Sequence, residues 1–239
     1  KYCGENKIIM NSFSIKKIAI LKSGAIGDVL MTTPFLRAVR QQFPDTIIDY
    51  WVGEWSSKAL LNNSNITNIK TLPDKYFHSK NPFLALKLIT VIRKEKYDLL
   101  FILDKSYLAN LLGLATGIKI RVGFNRAWEG FPNTHNINYC ELKHAIDYDL
   151  ELAYIVGAKK LKDKRLELCI SSDDRKFAEN FFRENKLSTK NTISIAPGGG
   201  RNPGVGDDAF RRLPPEKFVE VINLLRDKKG FTLVELLVV

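Results

Sequence analysis

Short apolar runs alternate with helical stripes through most of the chain. Residues 18–21, Ile-Ala-Ile-Leu, are closed by Lys22-Ser23-Gly24-Ala25-Ile26-Gly27-Asp28, the pattern of a buried parallel strand that turns through a tight loop into a helix. Thr33-Pro34 then opens a helix: Thr caps, Pro suits the first turn, and Phe35, Leu36, Val39 and Phe43 recur at helical spacing until Pro44-Asp45 stops it. The same alternation predicts strands over 47–52, 69–72, 99–103 and 120–123. It predicts helices over 59–63, 82–94, 108–116 and 144–156, the last closed by Gly157.

Strands and helices in this order imply βαβ units, and the right-handed crossover rule makes them a Rossmann-like, doubly wound parallel sheet of α/β class. Such sheets bind ligands at the carboxyl ends of their strands. This amino-terminal, acceptor-side domain is expected over residues 10–172. A charged amphipathic helix from Asp173 and the polar Ser188-Thr189-Lys190-Asn191 form a connecting helix and linker over 173–191. A fresh strand over 192–196, a glycine-rich loop, a helix over 215–226 and a strand from Phe231 begin a second Rossmann-like domain, incomplete over 192–239. Leu236-Leu237-Val238-Val239 stops inside an apolar run, which reads as a truncation, and Met10 reads as the natural start.

Composition changes the picture in two ways. With 45% apolar residues in 239, the chain can bury one core and part of another. Its 37 Lys and Arg against 26 Asp and Glu leave a net charge of +11, which suits a nucleotide diphosphate, a phosphorylated glycolipid, an acidic membrane surface or nucleic acid, or simply a solvated basic surface. No nucleic-acid-binding module is recognisable, so nucleic acid is set aside. Cys3, Cys140 and Cys169 form no CxxC pair, which argues against a disulfide framework or zinc knuckle and for a reducing cytoplasm. No apolar run reaches the ~18 residues of a membrane-spanning helix.

Two loops carry candidate chemistry. In the first, Gly24 and Gly27 let the backbone approach a ligand closely, and Asp28 stands at the top of the first strand. A carboxylate there either serves as general base on a sugar hydroxyl or binds the N-terminus of the helix that follows, and the residues alone leave both readings open. The spacing is neither GxGxxG nor GxxxxGK, so dinucleotide and P-loop chemistry lose ground. In the second loop, Ala196-Pro197-Gly198-Gly199-Gly200-Arg201, the amides can cradle a phosphate, with Arg201, Arg211 and Arg212 supplying charge; a flexible glycine turn with solvated arginines is the alternative.

The run from Lys17 through Gly24-Ala25-Ile26-Gly27-Asp28-Val29-Leu30-Met31-Thr32-Thr33-Pro34 resembles the opening signature of glycosyltransferase family 9, the ADP-heptose:lipopolysaccharide heptosyltransferases. Ala196-Pro197-Gly198-Gly199-Gly200 with Arg211-Arg212-Leu213-Pro214 is similar to that family's glycine-rich strand end and its basic-basic-Trp-Pro segment, with Leu213 in place of Trp. The resemblance implies a two-domain GT-B fold and an inverting transfer without metal or other cofactor. It implies that Asp28 is the general base within an acceptor loop of Ser23, Gly24 and Gly27, and that Gly198, Gly199, Gly200, Arg201 and Arg212 bind the donor phosphates. The implied partners are a nucleotide-diphosphate sugar, ADP-heptose first, and an anionic lipopolysaccharide-core acceptor, met in the cytoplasm at the inner face of the inner membrane. A family member using another nucleotide sugar, or a non-catalytic fragment that keeps only acceptor recognition, are the alternatives.

Weaker signals remain. Asp147-Tyr148-Asp149 matches a metal-binding DxD, but helical spacing turns the two carboxylates apart, and the pair is expected on a solvated face. His135, Cys140 and His144 lack the spacing of a metal site. Trp128, Phe131, Arg121 and Arg126 suggest a basic, aromatic surface, or ordinary loop packing. The tail Lys229-Gly230-Phe231-Thr232-Leu233-Val234-Glu235 resembles a type IV prepilin cleavage motif, yet it reads better as a strand of the second domain than as a junction with an unrelated segment.

Overall fold

The computed structural model describes residues 14–73, 76, 81–195, 213–226 and 232–235. The chain divides into two units, Lys1–Cys169 and Ile170–Val239.

In the first unit, β1 (Lys17–Leu21) runs into the short α1 (Ile26–Leu30) and then α2 (Thr33–Gln42). There follow β2 (Ile47–Gly53), α3 (Glu54–Ser57), β3 (Asn68–Leu72), α4 (Pro82–Lys94), β4 (Leu99–Ile102), α5 (Tyr107–Ala115), β5 (Ile120–Asn125), β6 (His135–Asn138) and α6 (Ala145–Ile155). The six strands form one parallel sheet in the order β3-β2-β1-β4-β5-β6. This is the doubly wound order, and it reverses direction beside β1, so the crevice between the carboxyl ends of β1 and β4 is where such a sheet receives a ligand.

Strand alternation sorts the core into two layers. Ile18 and Ile20 of β1, Leu99 and Phe101 of β4, and Val122 and Phe124 of β5 pack with Phe35, Leu36 and Val39 of α2 and with Leu150 and Leu152 of α6. Ala19, Leu21, Leu100 and Ile102 point the other way, onto Leu88 and Ile92 of α4. Each of these side chains larger than alanine contributes about 1.5–3 kcal/mol by leaving water, and Phe35 meets Phe101 edge-to-face at 5.0 Å. Register pairs Leu21 with both Trp51 and Ile102, so β1 and β4 end level and their following loops share one edge, while β2 runs on to Gly53.

Two elements differ from expectation. The short helix expected over 59–63 begins earlier, at Glu54 directly after β2, and ends in a single tight turn over Lys58–Leu60 that buries Ala59 and Leu60. β6 has no counterpart in the hydrophobic pattern. Among the described residues it is an edge strand paired only with β5, and its Asn136 and Asn138 side chains are taken up by Gly130 O and the Asn125 amide.

In the second unit, α7 (Ser172–Glu184) opens with a capping box: Ser171 Oγ accepts the Asp174 N–H at 3.0 Å, and Asp174 accepts the Ser171 N–H at 3.1 Å. β7 (Thr192–Ile195) pairs in parallel with β8 (Thr232–Glu235), with α8 (Pro215–Arg226) between them in sequence. The tail thus forms the strand expected of it as far as Glu235. Among the described residues no helix is long and apolar enough to cross a membrane.

Candidate active site

The β1–α1 loop holds its shape through three backbone-directed contacts. The Ser23 N–H donates to Asp104 Oδ2 at 2.8 Å, the Ser56 hydroxyl donates to Gly24 O, and the Ala25 N–H donates to Asp28 Oδ2 at 3.3 Å. Gly24 has φ +141, and a Cβ there would lie 3.3 Å from Asp28 Cβ and Oδ2, so glycine is required both by the backbone and by the approach of Asp28. Gly27 has open space where a Cβ would be, on the exposed first turn of α1. Asp28 itself is exposed. Its carboxylate does receive the helix-terminal N–H, but through one oxygen only, and the other has no partner among the described residues.

Behind this loop lies a group of charges that the sequence pattern did not single out. Lys22 Nζ sits 3.6 Å from Asp104 Oδ1 and donates to Leu103 O at 3.2 Å. Burial pushes the Asp104 carboxyl up from its ordinary range, and Lys22 and the Ser23 N–H pull it partly back. Lys105, next in the chain after Asp104, is enclosed by rings: its Nζ lies 4.4 Å from the Tyr139 centroid, 5.4 Å from Tyr148 and 5.5 Å from Phe124.

Asp149 of α6 completes the group. It is 3% exposed and makes no hydrogen bond or ion pair among the described residues. Burial raises its carboxyl to about 7, with Lys22 and Lys105 opposing that rise and Asp104 and Asp28 adding to it. The solvated face expected for Asp147 and Asp149 is therefore corrected by half. Asp147 does face outward, paired with Lys164 at 2.6 Å, while the 200° that separates residues two apart on a helix turns Asp149 inward.

The opposite edge of the sheet offers a contrast. Asp49 of β2 is fully buried as well, but it accepts from the Tyr97 hydroxyl at 2.7 Å and the Asn68 amide at 2.7 Å, with Lys17 at 3.7 Å and Lys70 at 4.0 Å. Trp51 Nε1 in turn donates to the Tyr97 hydroxyl at 3.0 Å. Every acidic group there has partners, as a structural network requires. At the carboxyl edge Asp149 has no such set of partners among the described residues, and its oxygens are not among the buried unsatisfied atoms, which are Asn63 Nδ2 and Asn133 Oδ1.

Other sequence candidates fall out differently. Gly198, Gly199, Gly200, Arg201 and Arg212 lie outside the described residues; Leu213 is exposed. Arg121 turns inward to Pro132 O and Ile118 O, so it does not belong to a basic surface, and Arg126 pairs with Glu129 at 3.3 Å. Trp128 and Phe131 are 88% and 68% exposed, and Ala127 and Trp128 both adopt positive φ, which presents the indole outward. His144 caps α6 by accepting the Ile146 N–H at 3.3 Å. Among the described residues no group of three or more His, Cys, Asp or Glu is arranged to hold a metal.

No family model matches the chain. Over 188 residues it is 30% identical to the lipopolysaccharide core heptosyltransferase OpsX of Haemophilus influenzae, a match covering 76% of this chain and 51% of that protein. The chain thus spans about half the length of this curated relative. Among solved structures it is similar to a family 9 glycosyl transferase from Veillonella parvula, with TM-score 0.75 and 20% identity over 96% of this chain and 64% of the other. It is also similar to the ADP-heptose heptosyltransferase II of E. coli, with TM-score 0.64 and 19% identity over 92% and 64%. The E. coli heptosyltransferase WaaC, solved with ADP, has TM-score 0.64 and 16% identity over 92% and 66%. At such identities the structural likeness is one of fold.

Proposed function

We propose that this chain is a member of glycosyltransferase family 9 and carries the acceptor side of an enzyme that moves a sugar from a nucleotide-diphosphate donor onto a lipopolysaccharide core. The observation that carries this reading is Asp28: exposed, with one free carboxylate oxygen, at the carboxyl end of β1 where the sheet order reverses. The names of the relatives make ADP-heptose the first donor to try.

The chemistry is a single displacement. Asp28 takes the proton of an acceptor hydroxyl as its oxygen bonds to the anomeric carbon, and the bond from that carbon to the diphosphate breaks on the opposite face, with inversion. Charge accumulates on the departing diphosphate. The amides of Gly198, Gly199 and Gly200 and the guanidinium groups of Arg201 and Arg212 are proposed to receive it. The loop of Ser23, Gly24 and Gly27 admits the acceptor close to the backbone. The acceptor is anionic and membrane-borne, and the net charge of +11 and the outward Trp128 favour contact with the inner face of the inner membrane.

Sugar transfer by the protein and by Asp28→Asn tests the base, and calorimetry with ADP and other nucleoside diphosphates tests the donor side. A loss of about 10²- to 10⁴-fold in kcat for Asp28→Asn is expected, together with weaker nucleotide binding by Arg212→Ala. Undiminished transfer by Asp28→Asn refutes the base; absence of any nucleotide binding, both by this chain and by a form carrying a whole second domain, refutes sugar transfer.

A further inference from the structure

The strands on either side of β1 each send a side chain to the β1–α1 loop. Asp104, just past β4, accepts the Ser23 N–H at 2.8 Å, and Ser56, on α3 directly after β2, donates its hydroxyl to Gly24 O. Gly24 O and the Ala25 N–H belong to one planar peptide unit. The group that Ser56 holds by its carbonyl end is therefore the group whose other end donates to Asp28 Oδ2 at 3.3 Å.

Gly24 is only half-buried, so water can serve its carbonyl and the serine is not needed for satisfaction alone. What Ser56 supplies is direction. Gly24 stands at φ +141, and the conformational freedom of glycine leaves the peptide that follows it easy to rotate. Half a turn would aim Gly24 O at the Asp28 carboxylate and take the N–H away. The Ser56 hydroxyl, on a residue 1% exposed and fixed by the packing of α3 after β2, holds the carbonyl on the far side. Donation to a carbonyl also polarises its peptide and strengthens the N–H as a donor. That matters for a contact of 3.3 Å, which is longer than the ordinary N–H to oxygen bond.

We propose that Ser56 is a positioning residue of the transferase site: through the Gly24–Ala25 peptide it holds one oxygen of Asp28, so that the other oxygen is the one presented to the acceptor hydroxyl. This rests on the reading of Asp28 as the base. An exposed carboxylate with neither oxygen held turns about its own bonds and meets a bound hydroxyl in a productive geometry only part of the time. Pinning Oδ2 removes that freedom before the acceptor arrives, which is where the rate advantage of orientation comes from. Ser56 itself touches neither the acceptor nor the reacting atoms, and its influence passes through a single peptide.

The amide resonance of Ala25 in ¹H–¹⁵N NMR spectra reads this relay without turnover, and sugar transfer by a form carrying a whole second domain reads its use. Asp28→Asn is expected to move the Ala25 amide proton upfield, because a charged acceptor is replaced by a neutral one. Ser56→Ala is expected to move it the same way, to speed its exchange with solvent, and to lower kcat about 10-fold with the donor KM unchanged. Ser56→Thr, which keeps the hydroxyl, is expected to restore both amide and kcat. If Ser56→Ala does not fold, Ser56→Cys, a weak donor, gives the same reading with a smaller shift. An Ala25 amide that ignores Asp28→Asn overturns the proposal before Ser56 is altered, as does a folded Ser56→Ala protein with the wild-type amide shift or the wild-type kcat. Full transfer by Asp28→Asn overturns the base reading instead, and the Ala25 response to Ser56→Ala then decides alone whether the serine holds the carboxylate.

Discussion

Replacing Asp149 by Asn should make the protein more stable at neutral and alkaline pH, by an amount that depends on pH in a defined way. In the folded protein burial raises the Asp149 carboxyl from 3.8 to about 7. The native state therefore binds more protons than the unfolded state between these two values, and stability falls as pH rises through the window and levels off above it. About 3 units at ~1.4 kcal/mol each give a loss of about 4 kcal/mol at pH 8, as an upper bound. Asn has the shape of the protonated acid and no titration, so it escapes this loss. Urea unfolding followed by the emission of Trp51, which is buried in the first unit, should find wild type and Asp149→Asn within about 1 kcal/mol of each other at pH 4.5 and separated by several at pH 8, with the variant the more stable. Asp104 is raised in the same direction and is present in both proteins. Parallel stability curves from pH 4.5 to 8 would refute the reasoning.

Gly24→Ala should cost about 1–3 kcal/mol and displace Asp28, because φ +141 strains an L-residue and the new methyl meets the Asp28 side chain at 3.3 Å; denaturation and the Asp28 carboxyl resonance report the two effects. Tyr97→Phe removes the hydroxyl that joins Trp51 Nε1 to Asp49 and should destabilise the first unit by about 1–3 kcal/mol, measured by urea unfolding. Ser171→Ala breaks one half of the capping box of α7 and should cost about 1 kcal/mol, seen as faster amide exchange in its first turn.

The fold was legible because its buried strands are nearly pure apolar runs. The run over residues 18–21 and that over 99–103 appear where expected, as do the helices over 82–94 and 215–226. β6 was not legible: His135, Asn136, Ile137 and Asn138 show no apolar alternation, and the strand exists because β5 offers a free edge and its own asparagines are satisfied by neighbours that only the fold brings near. Of the site, the β1–α1 loop was visible as a motif. Lys22, Asp104, Lys105 and Asp149 come from three separate segments, and nothing local marks them as a group. One signal for Asp149 was available. Tyr148, Leu150, Leu152, Ala153 and Ile155 surround α6 with apolar side chains on more than one face, and a helix of that kind is buried on most of its circumference, so its second aspartate has to face the interior.

The two edges of the sheet hold their buried aspartates in different ways. Asp49 and Asp149 are buried to similar degrees, and both have two lysines near them. Asp49 adds two neutral donors, from Tyr97 and Asn68, so its charge is fixed by hydrogen bonds whose loss would leave groups unsatisfied. Around Asp149 the potential partners are diverted: Lys22 is drawn to Asp104, and Lys105 is enclosed by the rings of Phe124, Tyr139 and Tyr148. That enclosure spares Lys105 from pairing with Asp149 while leaving its charge close by, since a cation over rings keeps its full charge and gives up no proton. Opening the enclosure should therefore couple the two. In Tyr139→Leu, the nearest ring over Lys105 is lost, the ammonium becomes free to pair with Asp149, and the Asp149 midpoint should fall toward the ordinary carboxylate range. A midpoint that stays near 7 in that variant would mean that the rings do not govern where Lys105 points.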